Sequence, residues 1–243
     1  MPDLESIVNR ICPSVEHHQN RYSRGLEDAV RPGIRWLDLG AGTRIHHGWR
    51  HRSESDIAAR ARVLVGCDLV GDNLRKNPYL SAAVLGNGKE LPFGAESFDL
   101  VTANMVLEHL DDPAAVFREI ARVLAPGGMF AFVTPNRGHP VVFLASLLLS
   151  RPARRQLAQV VEARASEDVF PTFYRVNTPA ALRRELAGVS LRISRLESFS
   201  TYPFIKNIWP ITVLECVWIR FSALGPMSWS RSNLYGELVK GTD

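Results

Sequence analysis

The residues best suited to chemistry stand between Trp36 and Arg44, in the segment WLDLGAGTR. Asp38 precedes Gly40 by two positions, and Gly40 and Gly42 bracket Ala41. Glycine is required where a backbone bends sharply or meets a ligand closely, because a Cβ would collide there. A second carboxylate, Asp68, closes the apolar run Arg62 to Cys67 (RVLVGC). In doubly wound folds an acid at such a strand end accepts hydrogen bonds from ribose hydroxyls. The plainer alternatives are an ordinary strand-to-helix turn for the glycines and a solvated carboxylate for Asp68. A dinucleotide fingerprint, GxGxxG, needs a third glycine where this chain has Ile45, and a branched side chain there disfavours close phosphate approach. GxxxxGK[ST], HExxH and GxSxG are all missing, which sets aside the usual P-loop, zinc-protease and serine-hydrolase chemistries. His46, His47 and His51 have no regular spacing with carboxylates, so no metal site is expected.

Short apolar runs alternating with helical periodicity must position these groups, and that alternation predicts a βαβ sheet. The predicted strands are Ile34 to Leu39, Arg62 to Cys67, Ala82 to Leu85, Phe98 to Ala103 and Met129 to Thr134. Leu191 to Phe199 and Leu234 to Lys240 read as late strands. The clearest helix is capped by Asp111 or Asp112, has Pro113 in its first turn, and is stopped by Gly127-Gly128. Val116, Phe117, Ile120, Val123 and Leu124 fall on one of its faces. Another helix starts at Thr178-Pro179 and closes at Gly188. The expectation is one α/β domain over 1–243, Rossmann-like and doubly wound with a mostly parallel sheet. Residues 138–176 form a helical insertion, or lid, after the fifth strand.

The chain has 243 residues, 46% of them hydrophobic and 22% charged, enough for a sizeable core and unlike a disordered or collagenous chain. Three cysteines, Cys12, Cys67 and Cys216, lie far apart without a CxxC pair, which argues against a disulfide framework and for a reducing cytoplasm. The net charge of +4 is too small to select a partner. The N-terminus shows no targeting peptide, and the longest apolar run, Val141 to Leu149, is about half a bilayer span.

With these residues in view, LDLGAGT resembles the first motif of class I S-adenosylmethionine-dependent methyltransferases. The resemblance continues through residues 86–136, where LPF, SFDLV, EHL and RVLAPGG follow in order. This is similar to a group of small-molecule methyltransferases that includes ubiquinone-type enzymes. It covers roughly 34–136, and DVFPTFYRVNT (168–178) looks like a subgroup feature. The resemblance implies S-adenosylmethionine as cofactor. Asp38, Gly40, Ala41 and Gly42 would lie along its methionine part, Asp68 at the ribose hydroxyls, and Leu69 against the adenine. Asn87 and Gly88 would sit at the adenine edge, and Asn104 and Met105 would flank the cofactor after the fourth strand. Two departures stand out. Arg44 takes the place of a common third glycine, and Asn87 replaces a common aspartate, keeping an acceptor oxygen without the charge.

Methyl transfer from a sulfonium is an in-line displacement, so the protein supplies alignment and, for a hydroxyl acceptor, a base. His109, in LEHL just after the fourth strand, is the candidate base. Its plainer role is packing at a loop-to-helix junction. Tyr22, on a helix preceded by His17-His18, is a candidate cofactor contact. The expected function is methylation, O-methylation above C- or N-methylation, of a small-molecule, saccharide or lipid-linked acceptor. A nicotinamide oxidoreductase and a non-catalytic cofactor-binding protein are the alternatives. Scattered basic residues and the lack of an appended RNA-binding module argue against nucleic acid. Val141 to Leu149, the basic flank Arg151, Arg154 and Arg155, and the stripe Ile211, Leu214, Trp218 and Phe221 would pack as a lid or touch a membrane surface peripherally.

Overall fold

The computed structural model describes residues 8, 10–12, 15–45, 54–148, 170–204 and 209–242. His46, His47 and His51, and the basic flank Arg151, Arg154 and Arg155, lie outside them. Among the described residues no cluster of three or more His, Cys, Asp or Glu side chains is arranged to hold a metal ion.

Helix α1 (His18–Ala29) precedes β1 (Ile34–Leu39), α2 (Glu54–Ala58), β2 (Ala61–Asp68), α3 (Gly71–Lys76), β3 (Ala82–Leu85) and β4 (Phe98–Asn104). After a short 3-10 turn, Leu107–His109, come α4 (Pro113–Val123), β5 (Leu124–Pro135), α5 (Pro140–Leu148) and α6 (Pro179–Glu185). The chain finishes with β6 (Leu191–Phe199), α7 (Trp209–Ser222) and β7 (Asn233–Lys240). The seven strands form one sheet in the order β3-β2-β1-β4-β5-β7-β6. All pairs are parallel except those of β7, which runs antiparallel between β5 and β6. The sheet is therefore Rossmann-like and mostly parallel, with α5 following its fifth strand.

Burial on both faces makes the inner strands almost continuously apolar. Alternate residues face opposite cores: Leu37, Val101, Phe130 and Phe132 pack with Phe117 and Ile120 of α4, whereas Trp36, Leu100 and Val133 pack with Tyr22 and Leu26 of α1. Arg21 of α1 stacks 3.8 Å over the Tyr235 ring and donates to Glu197 at 2.7 Å, fixing the helix across β7 and β6. Asp112 caps α4 by accepting from the Ala115 amide at 3.1 Å, with Pro113 following. That helix ends at Val123, earlier than the glycine pair suggested. Pro126 disfavours a helical conformation at Ala125, and Leu124 is already extended and paired with Phe98.

Candidate functional site

The turn after β1 is built by two different constraints. Gly40 has φ +65°, its amide donates to the Cys67 carbonyl at 2.7 Å, and a Cβ there would stand 2.4 Å from Val106 Cγ2. Gly42 has φ +49°, and a Cβ would meet nothing nearer than the Gly40 carbonyl at 3.9 Å. Its requirement is the left-handed backbone, not a crowding neighbour. The Gly42 amide donates to Asp68 Oδ2 at 3.0 Å, and the Val70 amide to Oδ1 at 2.8 Å. Asp68 is thus oriented by two amides, and each oxygen keeps a further lone pair. Ala41 departs from the sequence expectation. It is buried, its carbonyl accepts from Asn77 Nδ2 at 3.1 Å, and it supports the turn from below without lining the cavity.

Above the turn lies a cavity of about 940 Å³. Asp38, Gly40, Gly42, Asp68 and Leu69 line one end of it. Leu69 is 61% exposed, an apolar surface offered to a ligand. Asn87 and Gly88 also line it, with Asn87 Oδ1 accepting from the Lys89 amide at 2.7 Å. Asn104 and Met105 stand at the end of β4. Asn104 exchanges two hydrogen bonds with Gln19, at 3.0 and 2.9 Å, which ties the start of α1 to the sheet edge. Met105 holds φ +56°, a costly conformation for a side-chain-bearing residue.

Asp38 is the electrostatic anomaly. Burial pushes its carboxyl up to about 7, the hydrogen bond from Thr102 works in the opposite direction, and the Asp68 charge adds to the rise. Thr102 Oγ1 donates to Asp38 Oδ1 at 2.6 Å while accepting from Trp36 Nε1 at 2.7 Å. Asp38 takes part in none of the ion pairs among the described residues.

The cavity wall also carries aromatic residues. Phe170, Phe173, Tyr202 and Phe204 line it with His109. The His109 Nδ1 lies 3.0 Å from the Pro171 carbonyl, which only accepts. Nδ1 therefore carries the proton, and in the neutral ring Nε2 is left as the acceptor. The ring meets Phe170 edge-on with centroids 6.0 Å apart. Tyr22 does not reach the cavity: its ring is fully buried in the core, and His17, His18 and Gln19, about one turn earlier, line the wall instead. The residues missed by sequence reasoning are Gln19 and the aromatic set. The segment 168–178 carried a signal for Phe170 and Phe173; nothing marked 201–204.

Helix α7 buries Cys216 and Ile219 in a small core with Val8 and Cys12, yet carries apolar side chains on its exposed side as well. Thr212, Glu215 and Ser222 are buried, with Glu215 accepting from the Phe204 amide at 2.8 Å. Trp209, Ile211, Leu214, Val217 and Phe221 are exposed, as are Phe143, Leu144 and Leu147 of α5. The apolar stripe thus faces outward, apart from Trp218, which is turned partly inward. No helix among the described residues is long and apolar enough to cross a membrane.

The Asp38 geometry predicts a pH-dependent stability gain on substitution. The carboxyl is raised from 3.8 to about 7 in the fold, so its contribution favours folding at low pH and is lost as pH rises through about 7. Asp38→Asn keeps the oxygen that accepts from Thr102 and removes the charge. It should raise the thermal midpoint at pH 8 by roughly 3 °C or more, and the gain should shrink through pH 7 and vanish below pH 4. Equal effects at pH 8 and pH 5 would contradict the buried-charge account.

Comparison with known proteins gives the same direction. Residues 37–132 match the family model described as a methyltransferase domain. A demethylmenaquinone methyltransferase of Corynebacterium kroppenstedtii is 30% identical over 138 residues, 56% of this chain and 56% of that protein. The chain spans about half the length of the curated relatives it matches. Among solved structures, an S-adenosylmethionine-dependent methyltransferase from Mesorhizobium loti has a TM-score of 0.55 at 20% identity, covering 90% of this chain and 96% of that one. A geranyl diphosphate C-methyltransferase from Streptomyces coelicolor A3(2), solved with Mg2+, geranyl diphosphate and S-adenosyl-L-homocysteine, has a TM-score of 0.55 at 14% identity over 91% of this chain and 80% of its own. The chain thus carries a match to the methyltransferase domain family over residues 37–132, on a fold it shares with solved methyltransferases, consistent with the class I resemblance.

Proposed function

We propose that this chain is an S-adenosylmethionine-dependent methyltransferase whose acceptor is a small, lipid-like molecule. The observation that carries this is a single cavity whose wall combines two carboxylates over a glycine turn with aromatic rings and His109. The carboxylate end fits the cofactor. Asp68, with free lone pairs, would take the ribose hydroxyls, and exposed Leu69 would lie against the adenine. Asn87 and Gly88 would meet its edge, and the unmatched Asp38 would face the cationic methionine end. Asn104 and Met105 would close the wall beside it. S-adenosylmethionine supplies an activated methyl group on a cationic sulfur.

The aromatic end fits an uncharged acceptor better than a phosphorylated one. Arg44 and Lys89, the Arg and Lys on the described cavity wall, are already paired with Glu54 and Asp111, each at 3.1 Å. The acceptor named for the Corynebacterium relative is of a lipid-like kind, which supports the same class. We read the accepting atom as a hydroxyl oxygen. His109 Nε2 would take the hydroxyl proton, while the bound cofactor would supply the methyl group to the acceptor oxygen. Phe170 and Phe173 would set the acceptor, within one domain spanning 1–243. The outward apolar faces of α5 and α7 would rest on the cytoplasmic membrane surface, from which a lipid-like acceptor is drawn.

Incubation of the protein with trideuteromethyl cofactor and a host lipid extract should yield a product heavier by one trideuteromethyl group. Cofactor binding with no labelled product from any extract would leave only a cofactor-binding protein, and tight NADH binding would overturn the cofactor assignment. Asp68→Ala and His109→Ala should separate binding from turnover. The first loses charged hydrogen bonds worth about 1.5–3 kcal/mol each, and calorimetry with S-adenosyl-L-homocysteine should show at least a tenfold weaker complex. The second should lower turnover about 100- to 10,000-fold with cofactor affinity within a few-fold of the parent. A parent-like dissociation constant for the first, or parent-like turnover for the second, removes that residue from its role. For the membrane contact, liposomes containing anionic lipid should carry the parent upward on flotation at low salt and leave a Leu214→Glu/Phe221→Glu variant behind. A parent that never floats counts against it.

A further inference from the structure

Glu108 stands beside the candidate base and belongs to no part of the cavity wall. It is 3% exposed, and a buried carboxylate is costly unless hydrogen-bonded and paired with a cation. One oxygen, Oε2, accepts from Thr134 Oγ1 at 2.9 Å, and that hydroxyl accepts in turn from Asn177 Nδ2 at 2.6 Å. Thr134 and Asn177 are both fully buried, so the carboxylate is held from beneath by a fixed donor chain running from β5 to the start of α6. The other oxygen, Oε1, stands 3.9 Å from Nε2 of His109. No Lys or Arg is paired with Glu108 among the described residues, and the histidine is the one cation-capable group at that distance.

The backbone of the same residue acts on the other side of the ring. The Glu108 carbonyl accepts from the amides of Phe173 at 2.7 Å and Tyr174 at 3.2 Å. Those bonds pin the extended segment that carries Pro171, whose carbonyl takes the Nδ1 proton of His109. One residue therefore governs both ring nitrogens. Its carbonyl seats the strap that selects the Nδ1–H form, and its side chain puts a negative charge beside the nitrogen that receives the acceptor proton.

We propose that Glu108 is the positioning residue for His109: its carboxylate stabilises the imidazolium that forms when Nε2 takes the acceptor proton, and its carbonyl fixes the ring through residues 171–174. The proton passes from the acceptor hydroxyl to Nε2 and stays there while the methyl is transferred; Glu108 takes no proton from the ring. The proposal rests on the reading of His109 as the base of a methyltransferase.

The test is Glu108→Gln, which keeps the shape, the oxygen facing Thr134 and the backbone carbonyl, and removes only the charge. kcat should fall about tenfold or more, with KM for cofactor and acceptor within twofold. In a His109→Ala background the same substitution should change kcat by less than about twofold, because the two groups act as a unit. A full loss in that background, or an unchanged kcat in the parent background, overturns the proposal. A second readout needs no turnover. In ring-nitrogen NMR of the ligand-free protein, the His109 ring resonances should differ between the parent and Glu108→Gln. Identical ring spectra overturn the charge coupling. If no acceptor is ever methylated, the methyltransferase reading fails and these spectra still decide whether Glu108 is coupled to His109. Should Glu108→Gln not fold, Thr134→Val frees the carboxylate while keeping Glu108, and it should show the same split between kcat and KM; an unchanged kcat overturns the proposal.

Discussion

The site depends on where the chain changes direction across its sheet. From β1 the chain builds outward through β2 and β3 on one side; β4 and β5 then build the other side. Adjacent parallel strands that feed opposite directions leave a crevice at their carboxyl ends, because the connections after them diverge. Here β1 and β4 are those strands, paired from Trp36–Leu100 to Leu39–Ala103. Asp38 and Thr102 face each other across that pair, and their hydrogen bond joins the two halves of the sheet at the floor of the crevice. Asp68, at the end of the neighbouring strand, reaches back to the turn after β1 through the Gly42 amide.

This arrangement gives a cavity with a gradient of polarity. Two carboxylates and a bare backbone turn line it at the carboxyl ends of β1 and β2, where Asp38 is buried and in no ion pair among the described residues. Aromatic residues from two segments outside the sheet, 170–173 and 201–204, line the same cavity. A cationic, hydroxyl-rich ligand and an apolar one can sit side by side without either facing the wrong surface. The second aromatic segment hangs from Glu215 of α7, so the helix with outward apolar residues also holds part of the cavity wall. The exposed apolar side chains of α7 are in this way connected to one segment of the cavity wall.

The strands were legible because each is a short apolar run bounded by a breaker. Ile34–Leu39, Ala82–Leu85 and Leu191–Phe199 have the same limits in the sequence reading and in the fold. The end of α4 was misplaced since Pro126 acts earlier than the glycine pair. The antiparallel insertion of β7 between β5 and β6 leaves no local signature, as pairing partners are set by tertiary topology. In the site, residues fixed by backbone demands were readable: Gly40, Gly42 and Asp68 stand where a turn and a strand end must place them. Ala41 shared their motif but turns inward, and Tyr22 was displaced by the register of α1, which aims His18 and Gln19 at the cavity instead. The aromatic end was largely invisible, because Tyr202 and Phe204 owe their position to a contact with a distant helix.

The central claim is that the carboxylate end of this cavity holds the nucleoside of S-adenosylmethionine. The most direct test is a crystal structure of the protein with S-adenosyl-L-homocysteine. The account predicts both ribose hydroxyls within hydrogen-bond distance of the Asp68 carboxylate, the adenine against Leu69, and the amino group on the side of Asp38. A nucleoside bound elsewhere, or one in this cavity with its ribose turned away from Asp68, would contradict it.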